Sequence, residues 1–198
     1  TMADDIKISA VIAVLIAMLG IGLYIFLRFS RLAYSGGALV ALAHDTLFIL
    51  LLYCILPLTG IVPFSLEVDQ SFIAAILTVI GYSINDKVVI FDRIREFIRN
   101  RKGADFNKQD VFNSAISSTL SRTFSTSLST LIVLVIIFFF GGETIRGFIF
   151  AMLIGVIVGT YSSIFIAAPF ACKYYSAKAD EEEEAKRIEK EKRLAERA

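Results

Sequence analysis

The run Ile73-Ala-Ala-Ile-Leu-Thr-Val-Ile-Gly-Tyr-Ser-Ile-Asn-Asp-Lys-Val-Val-Ile-Phe91 is apolar throughout, except that Asn85, Asp86 and Lys87 stand inside it. About 20 apolar residues in a helix cross the hydrocarbon core of a bilayer, so this stretch reads as a transmembrane helix. A carboxylate near the centre of such a helix costs about 2.5–3.5 kcal/mol on insertion scales. It persists where it is paired, hydrated or mechanistically useful. Asp86 is therefore the first functional candidate, with Asn85 beside it.

The rest of the chain has the same character. Hydrophobic residues make up 56% and mean hydropathy is +0.70, well above a soluble domain. The formal charge of +1 supplies no basic field for nucleic acid. Five stretches satisfy the span-length criterion: approximately 8–29, 36–56, 72–91, 115–140 and 148–174. Pro57 is expected to end the second span, and Gly36-Gly37 at its start to act as a bend. The expected fold is an all-α polytopic membrane protein, with a transmembrane domain over 1–174 and a charged cytoplasmic tail over 175–198. That tail carries Glu182–Lys186, Glu183–Arg187 and Glu189–Arg193 at i,i+4 spacing, as on a solvated helix. Cys54 and Cys172 have no partner spacing and read as small buried hydrophobes. The acidic start, Thr1-Met-Ala-Asp-Asp-Ile-Lys7, lacks the basic n-region of a signal peptide and reads as the middle of a longer protein.

Charge asymmetry orients the spans. Arg28, Arg31, Arg93, Arg95, Arg99, Arg101, Lys102, Lys108, Lys173 and Lys178 gather on one side. Glu67, Asp69 and Glu143 lie on the other, where Arg146 is the one cation. The positive-inside rule puts the N-terminus outside and the C-terminus in the cytoplasm.

In the fourth span Ser114, Ser118, Ser121, Ser125 and Ser129 recur at helical spacing, with Thr119, Arg122, Thr126 and Thr130 alongside. Such a face is expected against neighbouring helices or a water-filled path, not lipid. Asp86 lies roughly 24 Å along its helix from Gln70, and Arg122 roughly 28 Å from Gly141, so the two can share a level. An Asp–Arg pair whose separation or hydration changes is a proton switch. The expected proton path comprises Asp86, Asn85, Arg122, Ser121, Ser125 and Thr126, with His44 and Asp45 as a second candidate. His44-Asp45 reads equally as a hydrogen-bonded pair holding helices together. Lys87 is expected to snorkel to the nearer boundary. Gly155, Gly159 and Ser163 form a small-residue ridge for helix packing. With one His and no ligand cluster, a metal site is not expected, and nothing indicates an enzyme.

Gly81-Tyr-Ser-Ile-Asn-Asp-Lys-Val-Val-Ile-Phe-Asp-Arg-Ile-Arg-Glu96 resembles the signature of the SecF family of protein-export membrane proteins, which also occur as the SecF half of fused SecDF. Ala43-His-Asp45, Leu120-Ser-Arg-Thr-Phe-Ser-Thr-Ser127 and Gly155-Val-Ile-Val-Gly-Thr-Tyr-Ser-Ser-Ile-Phe-Ile-Ala-Ala-Pro169 match in the same order, and Ala3-Asp-Asp-Ile-Lys7 resembles the stretch before that half's second helix. The resemblance implies half of an RND-type helical bundle in the bacterial inner membrane. It also implies assistance to Sec-dependent export, driven by the proton-motive force, with protons as coupling ion and no cofactor. The implied partners are SecD, separate or fused, the SecYEG channel and the SecA-driven preprotein, with YajC and YidC as further companions. Proton passage is implied for Asp86, and the motif arginine maps to Arg122. By the resemblance this stretch is expected to follow the family's first helix and periplasmic domain, and Lys87 stands where a small hydroxyl residue is expected. Two rival readings are an RND-type exporter of lipids or small molecules, and a non-energised translocon scaffold.

Overall fold

A computed structural model describes Met2–Asn100 and Asn107–Tyr175, with side chains from Ile8 onward except Ala10. The loop cations Arg101 and Lys102 and the charged tail after Tyr175 lie outside the described residues. Apart from its connecting loops, the longest over 60–69, the described chain is helical, in the order α1 (Met2–Phe29), α2 (Leu32–Thr59), α3 (Gln70–Asn100), α4 (Lys108–Phe140) and α5 (Glu143–Ser162). A π-helical turn, Ser163–Ala167, then joins α5 to α6 (Ala168–Tyr174). Glu143–Tyr174 thus forms one span, and among the described residues five spans are long and apolar enough to cross a membrane.

The helices run past the apolar stretches at several ends, for local reasons. α3 continues to Asn100 because Ile94 is fully buried and Phe97 and Ile98 pack on the same cluster. α4 starts at Lys108, where the Asn107 side chain accepts from Gln109 N at 3.0 Å as an N-cap. Asp69 does the same for α3, its Oδ1 accepting from Phe72 N at 2.8 Å. Pro57 does not end α2; it lies in the last turns, and Gly60 at φ 66° closes the helix in the left-handed region. Gly36-Gly37 does not interrupt the helix. Both lie inside α2, where Gly37 lets the helix touch the Ala167 carbonyl and Gly36 meets the Phe170 ring.

Two apolar clusters form the core. One, toward the end of the bundle bearing Arg28, Arg93, Arg95, Lys108 and Lys173, contains Phe29, Tyr34, Phe91, Ile94, Phe112 and Ala168. The other, toward the end bearing Glu67, Asp69 and Glu143, contains Tyr53, Phe72, Val79, Leu134, Met152 and Val156. Apart from Ser35 near the start of α2, the buried polar residues of α2, α3, α4 and the final span fall between the two. They form a layer across the middle of the bundle: Asp45; Ser83, Asp86 and Lys87; Thr119, Thr123 and Ser127; Thr160, Ser162 and Ser163.

α3 packs most extensively on α5. Gly155 and Gly159 make this possible: a Cβ on Gly155 would overlap the Val79 side chain, and one on Gly159 would lie 2.7 Å from Ser83 Oγ. Close backbone approach of this kind suits a membrane, where helices gain no hydrophobic drive against one another. At the acidic end the Tyr53 hydroxyl donates to the Gly147 carbonyl and ties α2 to α5. Tyr53→Phe should lower the unfolding free energy by about 0.5–1.5 kcal/mol, read by thermal unfolding in detergent, because the ring stays packed on Phe72 while one hydrogen bond is lost.

Candidate functional site: a buried ion pair beside an enclosed carboxylate

Helical geometry splits the polar residues of α3 between two faces. Ser83 and Lys87 are four apart and point the same way, whereas Asp86 is about 100° from Lys87. Lys87 does not snorkel. It is fully buried, 0% exposed, and its Nζ lies 3.1 Å from Oδ2 of the equally buried Asp45 on α2. The ammonium also donates to Ser83 Oγ and, at 3.2 Å, to Ser162 Oγ on α5. Ser83 Oγ in turn donates to Asp45 Oδ2 at 2.8 Å. A lysine one turn from the boundary can reach water; this one takes the inward face, where a carboxylate and two hydroxyls replace its hydration.

His44 lies at the rim of this group. Its Nδ1 is 3.3 Å from Asp45 Oδ1 and its side chain is 37% exposed on the outer side of α2, near the Phe48 ring. Cys54 is also exposed on the bundle surface, not buried, and Cys172 is half-buried; both are free.

Asp86 faces α4. Tyr82 and Arg93 share its face of α3. Tyr82 donates to Thr130 Oγ1 at 3.2 Å and Arg93 Nε to Ser118 Oγ at 3.0 Å. These two contacts set the register of antiparallel helices and place Asp86 level with Ser125 and Thr126, one turn from Arg122. The carboxyl is 4% exposed, and its Oδ2 is enclosed with no hydrogen-bond partner. Among the described residues no Asp86–Arg122 ion pair forms; the guanidinium and the Lys87 ammonium act on Asp86 through their fields.

The hydroxyls of α4 divide into two stripes. Thr119, Thr123 and Ser127 are buried toward the other helices, and Ser127 bonds Thr160 of α5 at 2.6 Å. Ser118, Ser121, Ser125, Thr126 and Ser129, with Arg122, are exposed on the outside of the bundle, as is Asn85 on α3. Of the expected serine face, Ser118 meets Arg93 of α3, whereas Ser121, Ser125 and Ser129 turn to the outside of the bundle. Thr126 and Ser129 donate to carbonyls of their own helix, which leaves their oxygens as acceptors toward the outside.

The sequence reading missed Ser83, Ser162, Thr123, Ser127 and Thr160, and gave Lys87 the wrong surroundings. One signal was available. Ser83 and Lys87 share a face at i,i+4, and Asp45 lies at a comparable distance from the acidic end of its own span. Among the described residues no group of three His, Cys, Asp or Glu side chains comes together to hold a metal.

Residues 1–177 match the family described as protein export membrane protein SecD/SecF, C-terminal. The protein translocase subunit SecF of Rhodothermus marinus is 52% identical over 167 residues, 84% of this chain and 53% of its own length. The SecF subunit of Vibrio alginolyticus is 43% identical over 174 residues, covering 87% and 51%. The chain thus spans about half the length of the curated relatives it matches. The crystal structure of SecDF, a translocon-associated membrane protein from Thermus thermophilus, superposes with a TM-score of 0.72 at 37% identity, over 83% of this chain and 21% of that one. This chain, matched over residues 1–177 by one family and by two SecF subunits at 52% and 43% identity, belongs to the SecD/SecF C-terminal family of protein-export membrane proteins.

Proposed function

We propose that this chain is the membrane half of a SecF-type subunit that uses the proton-motive force to assist Sec-dependent protein export. The observation that carries the reading is Asp86: an enclosed carboxyl with a free oxygen, at membrane depth, beside an exposed stripe of hydroxyls and a guanidinium. An apolar bilayer does not tolerate Arg122, Asn85 and five hydroxyls on its lipid face, so another polar helix or a column of water covers them. A SecD-type half is the natural cover, and the path along Ser121, Ser125 and Thr126 would deliver protons to Asp86. Arg122, one turn away, sets how firmly Asp86 holds its charge, and a change in its distance would load or release the proton. The basic end then faces the cytoplasm by the positive-inside rule. The SecYEG channel, the SecA-driven preprotein, YajC and YidC are partners by family likeness.

Asp86→Asn, which keeps shape and removes the titration, should abolish the stimulation of preprotein export by a proton gradient in inverted membrane vesicles carrying the intact protein. Full stimulation in the variant would end the proposal. Proton-linked efflux of a lipid or small molecule without the Sec channel would favour an exporter. Export that no longer responds to the gradient in either protein would favour a scaffold.

A further inference from the structure

We infer that Asp45 serves as the fixed counterion of Lys87, holding its ammonium on the α2/α5 side of α3 so that Asp86 on the next residue is left free to take and release a proton. The inference rests on the reading of Asp86 as the proton carrier and adds to it a positioning residue on a different helix.

The geometry is saturated. A lysine ammonium has three donors. Those of Lys87 meet Asp45 Oδ2, Ser83 Oγ and Ser162 Oγ, and none is left over. Asp45 Oδ2 is held in place from the other side by the Ser83 hydroxyl. Asp86 Oδ2 meanwhile has no partner, although Asp86 and Lys87 feel each other's charge. Among the described residues, Asp45 and Asp86 are the two carboxylates whose fields act on Lys87.

The other charges packed around α3 are engaged or distant. Arg28 of α1 pairs with Asp92, Lys108 of α4 reaches the Tyr175 carbonyl, and Lys173 of α6 sits over the Tyr174 ring. Glu143 and Arg146 of α5 pair at the acidic end, and Asp110 lies in the first turn of α4. On α2 His44 touches Asp45, and on α4 Arg122 faces outward.

The charge count explains the consequence. A buried ion pair is tolerable where an isolated buried charge is not. With Asp45 neutralised, the Lys87 ammonium loses its countercharge, and Asp86 is the carboxylate left for it. An Asp86 carboxylate paired with an ammonium keeps its charge to lower pH and carries protons poorly. Asp45 thus confines Lys87, at a position where the next residue has to stay titratable.

The test uses the intact protein in inverted vesicles, with proton-driven stimulation of export measured against pH and normalised to folded protein. Asp45→Asn should move the profile about one pH unit or more toward acid, a roughly tenfold loss of stimulation at neutral pH. Adding Lys87→Met to Asp45→Asn should return the profile to that of the parent protein, because no ammonium remains to capture Asp86. A role in packing alone would lower the amount of folded protein without moving the profile. Folded Asp45→Asn with the parental profile, or a double variant that keeps the acid shift, overturns the inference. A second measurement needs no fragile variant. The infrared band of a protonated carboxyl, assigned by its loss in Asp86→Asn, should appear and vanish across the physiological pH range in the parent protein; an Asp86 ionised throughout overturns the inference. Export stimulation that survives Asp86→Asn would instead refute the proton-carrier reading itself, whatever Asp45→Asn does.

Discussion

Lys87→Ala should cost the bundle about 3–5 kcal/mol, the usual penalty for removing one partner of a buried ion pair. Asp45 would stay behind, 1% exposed, with only the Ser83 hydroxyl and the His44 ring against its oxygens. The expected result is a large drop in resistance to thermal or denaturant unfolding of the purified protein in detergent. Stability indistinguishable from the parent protein would mean that the Asp45–Lys87 pair does not form. A snorkelling lysine, by contrast, would be replaced at almost no cost.

Gly155→Leu should be the most damaging single change on the α3/α5 contact. Its first added carbon already collides with Val79, and overpacking a tight interface costs typically about 1–3 kcal/mol and sometimes more. Here the neighbour cannot step aside easily, because Val79 lies in the apolar cluster with Ile76, Ile80 and Met152. The helices would have to separate, and the polar layer one to two turns along would separate with them. Gly81→Leu is the matched control. It lies on the exposed side of the same α3, with open space around its Cβ position. Equal stability of the two variants in detergent unfolding would contradict the close α3/α5 packing.

Much of the architecture was readable from the chain. The membrane sets a minimum span length and penalises charge, so five apolar runs separated by charged loops specify five helices and little else. Motif order identified the family, and Asp86 stood out because its surroundings are so apolar. What could not be read was rotation. Asp86 and Lys87 are sequence neighbours about 100° apart, and hydropathy does not say which of them faces α4 and which faces α2. The serine stripe of α4 shows the same limit. Ser118, Ser121 and Ser125 were expected against neighbouring helices or a water-filled path; Ser121 and Ser125 lie on the outside of this bundle, and Thr119, Thr123 and Ser127 are the α4 hydroxyls buried inside it. Periodicity finds a polar stripe but does not name the body that covers it.

The sequence by itself determined the number of spans, the polar residues inside them and the family, because these follow from local composition and motif order. The tertiary structure alone decided that Lys87 turns inward to Asp45 while Asp86 keeps an unpaired oxygen. The physical reason is contact. Gly155 and Gly159 let α5 close onto α3, that approach sets the rotation of α3, and the rotation assigns each charge its partner.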